Sequence, residues 1–102
     1  MNKYIIIVSK EFNTMLDSNL SHLQSISFPY ITYIIESISY FFQIVETFPF
    51  AFPKFILPDD TFPFRKITID KRYLIIYQIT NNKIEILYFV DGRRSYENML
   101  VY

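Results

Sequence analysis

Apolar positions along the chain change period several times, and each change predicts an element. Tyr4-Ile5-Ile6-Ile7-Val8 is a continuous apolar run of strand length, which predicts a covered strand. From Ser9 the period lengthens. Phe12, Met15, Leu16, Leu20 and Leu23 recur at helical spacing, with Asn13, Asp17, Ser21 and Gln24 filling much of the other face. Ser9 has N-cap chemistry, and Glu11 lies in the first turn, where the helix dipole favours an anion. This predicts a helix from Lys10 to Ser25. A second helix begins with Pro29 in its first turn and runs to about Glu46. Ile31, Ile34, Ile35, Ile38, Phe41, Phe42 and Val45 share one side, and Thr32, Glu36, Ser39 and Gln43 lie opposite. Few residues join the two helices, so an antiparallel hairpin is expected.

Pro49, Pro53, Pro58 and Pro63 then forbid regular structure from Thr47 to Phe64. The reading here is an ordered loop packed onto the sheet by Phe48, Phe50, Phe52 and Phe55. Strands are predicted at Arg65 to Ile69, Tyr73 to Thr80 and Lys83 to Val90, with Asn81-Asn82 as a two-residue turn. Asp91-Gly92 ends the last strand, and a short terminal helix is read from Arg93 to Tyr102. The order β-α-α-β-β-β predicts one α+β domain over residues 1–102, its helical hairpin on one face of a small, mainly antiparallel sheet. By strand alternation Tyr73, Ile75, Tyr77 and Ile79 share one face, and Leu74, Ile76, Gln78 and Thr80 the other. Ile84, Ile86, Tyr88 and Val90 alternate with Glu85, Leu87, Phe89 and Asp91. The face away from the helices is the first candidate for a binding surface. Leu74, Ile76, Gln78, Leu87 and Phe89 are its candidate residues, with Arg93 and Arg94 at its end.

Composition narrows the chemistry. With 102 residues, 51% hydrophobic and 20% aromatic, the chain is one ordered domain. It has no cysteine, one histidine (His22) and one glycine (Gly92). Disulfide scaffolds, thiolate metal sites, cysteine nucleophiles and Gly-rich phosphate loops are excluded, and a histidine-based metal site or triad is not expected. No metal and no cofactor are expected. His22 reads as a surface or core-edge side chain, and Asp59-Asp60 as a turn. The polar stripe on the second helix argues for a globular core rather than a membrane. The N-terminal apolar run is too short for a secretion signal, so a cytoplasmic setting is expected. The chain carries 11 Phe and 9 Tyr. A domain of this size buries only about two-thirds of the surface of its unfolded chain. Some rings must therefore face a partner or a second copy. Charge is also divided. Net charge is zero, but residues 1–60 hold three bases against six acids and residues 61–102 hold seven bases against four acids. All four arginines lie in the second part, which fits either an anionic partner or solvated strand ends.

The run Arg65-Lys66-Ile67-Thr68-Ile69, Tyr73-Leu74-Ile75-Ile76-Tyr77-Gln78-Ile79, Lys83-Ile84-Glu85-Ile86-Leu87 and Asp91-Gly92-Arg93-Arg94-Ser95-Tyr96 resembles the RelE/ParE toxin superfamily. Upstream, a short strand ending Val8-Ser9, a helical hairpin and Phe48-Pro49 occur in that family's order. The resemblance implies a toxin of a type II toxin–antitoxin pair, neutralised by a cognate antitoxin. RelE-like members cleave mRNA in the ribosome without a metal, and ParE-like members poison DNA gyrase. For the nuclease mode the resemblance leaves Arg65, Lys66, Arg93, Arg94 and Tyr96 as candidates for phosphate clamping and proton transfer. Departures from that pattern are Leu74 after the tyrosine of the second of these strands, Tyr88 near the end of the third, and Asp91 where many relatives have histidine. These losses, with the zero net charge, favour the gyrase mode. The alternatives are the ribosome-dependent endoribonuclease and a non-toxic interaction module.

Overall fold

A computed structural model describes residues 3–54 and 63–93. β1 (Ile5–Val8) leads through Ser9 into α1 (Lys10–Leu23). α2 (Phe28–Thr47) follows, then β2 (Phe64–Ile69), β3 (Tyr73–Thr80) and β4 (Lys83–Asp91). The sheet runs β1-β4-β3-β2, so the two helices carry the chain from one sheet edge to the other. β1 is parallel to β4; the β2–β3 and β3–β4 pairs are antiparallel. This is the α+β architecture read from the sequence. The predicted terminal helix, Phe55 and Asp59-Asp60 lie outside the described residues.

Both helix starts follow from their caps. Ser9 Oγ accepts the Phe12 N–H at 2.9 Å and donates to the Leu87 carbonyl at 2.7 Å, which ties the start of α1 to β4. Ser27 Oγ accepts the Tyr30 N–H at 3.2 Å, with Pro29 in the first turn. The inner stripe of α2 is buried at Ile31, Ile34, Ile38 and Val45, while Thr32, Glu36, Ser39 and Gln43 are exposed as expected. Ile35 departs from the predicted stripe and is exposed. It sits one residue past Ile34 on the wheel, which turns it away from the sheet. No helix among the described residues is long and apolar enough to cross a membrane.

The main core lies between the helices and one sheet face. Phe12 packs edge-on to Phe89 at 5.9 Å, and Phe89 stacks on Tyr73 at 5.1 Å. Here the alternation read from the sequence fails. Ile76 pairs with Tyr88 but Tyr77 pairs with Ile86, so Leu87 is an extra residue in β4. Such a bulge reverses the parity of everything after it. Ile84 and Ile86 face the helices, and beyond the bulge Phe89 does too, fully buried in the core. Tyr88 and Val90 pass to the second face. That face is not bare either, because Phe64, Leu74, Ile76 and Val90 form a buried cluster there, with Met15, Leu87 and Tyr88 packed beside it.

Two further expectations are corrected. β1 is covered on one face only: Ile6 packs on the main core, whereas Ile5 and Ile7 project from the opposite face and, with Val8 at the edge of the sheet, are exposed. Phe48 and Phe50 do not hold the loop onto the sheet. They are 59% and 62% exposed, whereas Phe52 meets Phe41 edge-on at 5.6 Å. The loop is anchored instead by the buried Tyr77, whose hydroxyl donates to the Pro49 carbonyl at 2.8 Å.

Candidate functional site

Five charged side chains, Asp70, Lys71, Arg72, Asp91 and Arg93, meet at the end of the sheet where the β2–β3 turn lies beside the end of β4. Asp70 and Lys71 form that turn with φ of 55° and 54°, and the Arg72 N–H closes it on the Ile69 carbonyl at 3.0 Å. Positive φ at both central positions is the type I′ geometry, whose twist matches the flanking strands. The turn delivers Arg72 beside Tyr73, which pairs with Asp91. The Gly92 N–H then donates to the Arg72 carbonyl at 2.6 Å. A Cβ at position 92 would stand 3.1 Å from that carbonyl oxygen, so glycine permits the close approach.

Asp91 is the centre of this arrangement. It is 7% exposed, and Arg93 closes around it. The Arg93 N–H and Nε donate to Oδ1 at 3.0 and 3.1 Å, and Nη2 donates to Oδ2 at 2.8 Å. Arg72 Nε lies 3.9 Å from Oδ2, within ion-pair range but beyond hydrogen-bond reach, and has no hydrogen-bond partner. Its guanidinium carbon sits 4.8 Å from the centre of the Tyr73 ring. The Arg93 hydrogen bonds, outweighing burial and helped by both arginine charges, pull the Asp91 carboxyl down to about 2. The same bonds raise Arg93 above its ordinary value. Asp91 is thus an anion at any physiological pH, and it engages Nε and Nη2 of Arg93 while that side chain stays 65% exposed. Nearby the Tyr30 hydroxyl donates to Asp70 Oδ2 at 2.7 Å. Burial first, then that bond, pushes the Tyr30 phenol up to about 12.

The other sequence candidates lie apart. Arg65 and Lys66 are adjacent in β2 and so project to opposite faces. Arg65 is on the helix side, where Nη1 donates to the Phe52 carbonyl at 2.7 Å and the guanidinium carbon lies 5.1 Å from the Phe50 ring centre. Its register partner is Tyr77, four residues along β3 from the partner of Asp91, a separation of roughly 13 Å. Arg65 and Arg93 therefore do not converge on one phosphate. Burial pushes the Tyr77 phenol up to about 12 against the opposing Arg65 charge, so neither Tyr77 nor Tyr30 supplies a phenolate at neutral pH. Arg94 and Tyr96 lie outside the described residues. Leu74 and Ile76 sit on the predicted face, yet both are buried. Phe89 is buried on the opposite face. Gln78 Nε2 donates to Glu85 Oε2 at 2.6 Å, and Leu87 is half-buried at the bulge. His22 is exposed in the last turn of α1.

Two features escaped sequence reasoning. Arg72 belongs to the Asp91 cluster only because the turn and the β3–β4 register bring it there. The spacing of Asp91 and Arg93 was the available signal, since a carboxylate two residues before an arginine reaches both its backbone and its side chain. Separately, an open hollow of about 340 Å³ lies between α1 and β4, lined by Lys10, Glu11, Thr14, Met15 and Tyr88. Among the described residues no group of three or more histidines or carboxylates is placed to hold a metal.

The fold has solved counterparts. A chain of the chromosomal ParDE toxin–antitoxin system from P. aeruginosa superposes with a TM-score of 0.68 at 12% identity, over 87% of this chain and 96% of that one. The conserved hypothetical protein HP0894 from Helicobacter pylori superposes with a TM-score of 0.50 at 15% identity, over 89% of this chain and 97% of that one. Neither a family model nor a curated relative matches the sequence significantly. Two helices on a four-stranded mixed sheet in this order define a ParE/RelE-like fold.

Proposed function

We propose that this chain is the toxin of a type II toxin–antitoxin pair, acting in the ParE-like manner on DNA gyrase and silenced by a cognate antitoxin. The observation that carries the reading is the fold correspondence with the ParDE-system chain, almost all of which is matched. The site favours gyrase poisoning over mRNA cleavage. A metal-free nuclease needs cations for the phosphorane charge and groups to move protons. Here Leu74 and Tyr88 stand where nuclease relatives carry cations. Asp91 engages Nε and Nη2 of Arg93, and Arg65 is remote. The antitoxin would cover exposed rings of the domain, among them Phe28, Tyr33, Tyr40, Phe48 and Phe50, with acids directed to the Arg65 and Arg93 ends. Gln78 and Leu87 remain partner candidates; the buried Leu74 and Ile76 lie beneath that face, and Phe89, in the opposite core, is withdrawn as a contact.

The test is induced expression in a bacterial host, with and without the product of the adjacent reading frame, which the proposal expects to be small and acidic. Growth arrest relieved by that frame, a DNA-damage reporter switched on, and intact mRNA support the proposal. Codon-phased mRNA cuts that vanish in Arg93→Ala or Tyr96→Phe overturn it in favour of the ribosome-dependent endoribonuclease. Unimpaired growth leaves an interaction module.

A further inference from the structure

We propose that β1 is the interface of a two-fold dimer, in which the edge strands of two copies pair antiparallel about Ile7 and join the two sheets into one. This does not rest on the toxin reading. β1 borders the sheet, and its ladder to β4 uses alternate residues: the Ile5 N–H donates to Asn82 and the Ser9 N–H to Ile86. The backbone groups of Ile6 and Val8 therefore point away from β4. Tyr4 is excluded from the free edge because its N–H donates to the Glu46 carbonyl at 2.9 Å. Ile6 and Val8 are symmetric about Ile7, so an identical strand satisfies both residues in one register: Ile6 opposite Val8 of the second copy, and Ile7 opposite itself.

Side chains agree with that register. Ile5 and Ile7 project from the face opposite Ile6, which packs on the main core, and they are 54% and 43% exposed. Pairing about Ile7 merges Ile5 and Ile7 of both copies into a continuous apolar strip. It also carries Lys3 of each copy toward the Lys10–Glu11 turn of the other, where Glu11 supplies the opposite charge. The strand Ile-Ile-Ile-Val contains no lysine, proline or inward charge, the devices that normally keep an edge from pairing. A second copy is the occupant because the same register that uses these groups also sets Lys3 of one copy opposite Glu11 of the other.

The chain has no cysteine, so a single introduced thiol reports the register directly. Directly opposed, non-hydrogen-bonded residues stand about 4.5 Å apart at Cα, within disulfide range. Ile7→Cys is expected to form a covalent dimer under mild oxidation at low protein concentration. Ile5→Cys, roughly 13 Å from its own copy in this register, is expected not to. Sedimentation velocity should show a concentration-dependent dimer, and Ile7→Lys, which opposes two like charges on the axis, should weaken it at least tenfold while far-UV circular dichroism stays unchanged. A monomer at every concentration overturns the proposal, as does equal trapping at positions 5 and 7. Slow hydrogen exchange at Ile6 and Val8 that appears only with a co-expressed antitoxin assigns the edge to that partner and overturns it too.

Discussion

Asp91→Asn separates the charge of the Asp91–Arg93 clamp from its shape. The folded protein holds this carboxyl at about 2, against an ordinary value of 3.8. A shift of that size corresponds to at most about 2 kcal/mol of linked stability, and water around the exposed Arg93 guanidinium reduces it toward roughly 1 kcal/mol. The sign follows from the depressed folded value. The contribution is complete above about pH 5 and disappears as pH falls through 2. Asparagine keeps the size of the side chain but carries no charge at any pH. Urea unfolding of wild type and variant between pH 2 and pH 7 should therefore give curves separated by roughly 1 kcal/mol at neutrality that converge near pH 2. A constant offset across the range, or none, refutes the assignment, because a purely steric defect does not titrate. The freed Arg93 and Arg72 should also increase retention of the variant on heparin.

Tyr77→Phe removes the side-chain hydrogen bond to the Pro49 carbonyl and should cost about 1 to 3 kcal/mol, with faster limited proteolysis between residues 48 and 54 as its signature. Phe89→Ala empties the space between Phe12 and Tyr73 and should cost about 3 to 5 kcal/mol by thermal unfolding. A loss below 1 kcal/mol would return Phe89 to the face where simple alternation placed it.

Most of the fold was legible in local pattern. Ser9 and Pro29 mark the helix starts because first-turn preferences act over a few residues, and the apolar stripe of α2 needs only the helix period; the Ser27 cap was not read. What failed was set by contacts distant in sequence. The β4 bulge at Leu87 follows from pairing with β3, so a strict count of two misplaced Phe89. The exposure of β1 depends on sheet order, which nothing in Tyr4 to Val8 encodes. The site divides in the same way. Asp91 stood out in the sequence as a departure from the pattern of the family it resembles, whereas Arg93 read as a candidate phosphate clamp, and the pairing of the two appears in the structure. The approach of Arg72 required a positive-φ turn at Asp70 and Lys71, where glycine or asparagine would have announced it.

That turn bears on the wider argument. Asp91 in isolation would add a fixed negative charge beside Arg93; with Arg72 also brought near its Oδ2, one carboxylate faces two guanidiniums. Only Arg93 meets it with hydrogen-bond geometry. Arg72 Nε stays buried and unsatisfied while its guanidinium rests on Tyr73. An unsatisfied buried donor costs on the order of 1 to 3 kcal/mol. Attraction to the Asp91 carboxylate offsets that cost, and the anion lowers, without cancelling, the positive potential of the two arginines at this sheet end. Reaching nuclease electrostatics from this sequence would require loss of the Asp91 anion, not merely restoration of cations at Leu74 and Tyr88. A double replacement at 74 and 88 that retains Asp91 should therefore still lack cleavage, and mRNA cutting by it would remove the electrostatic basis for preferring gyrase.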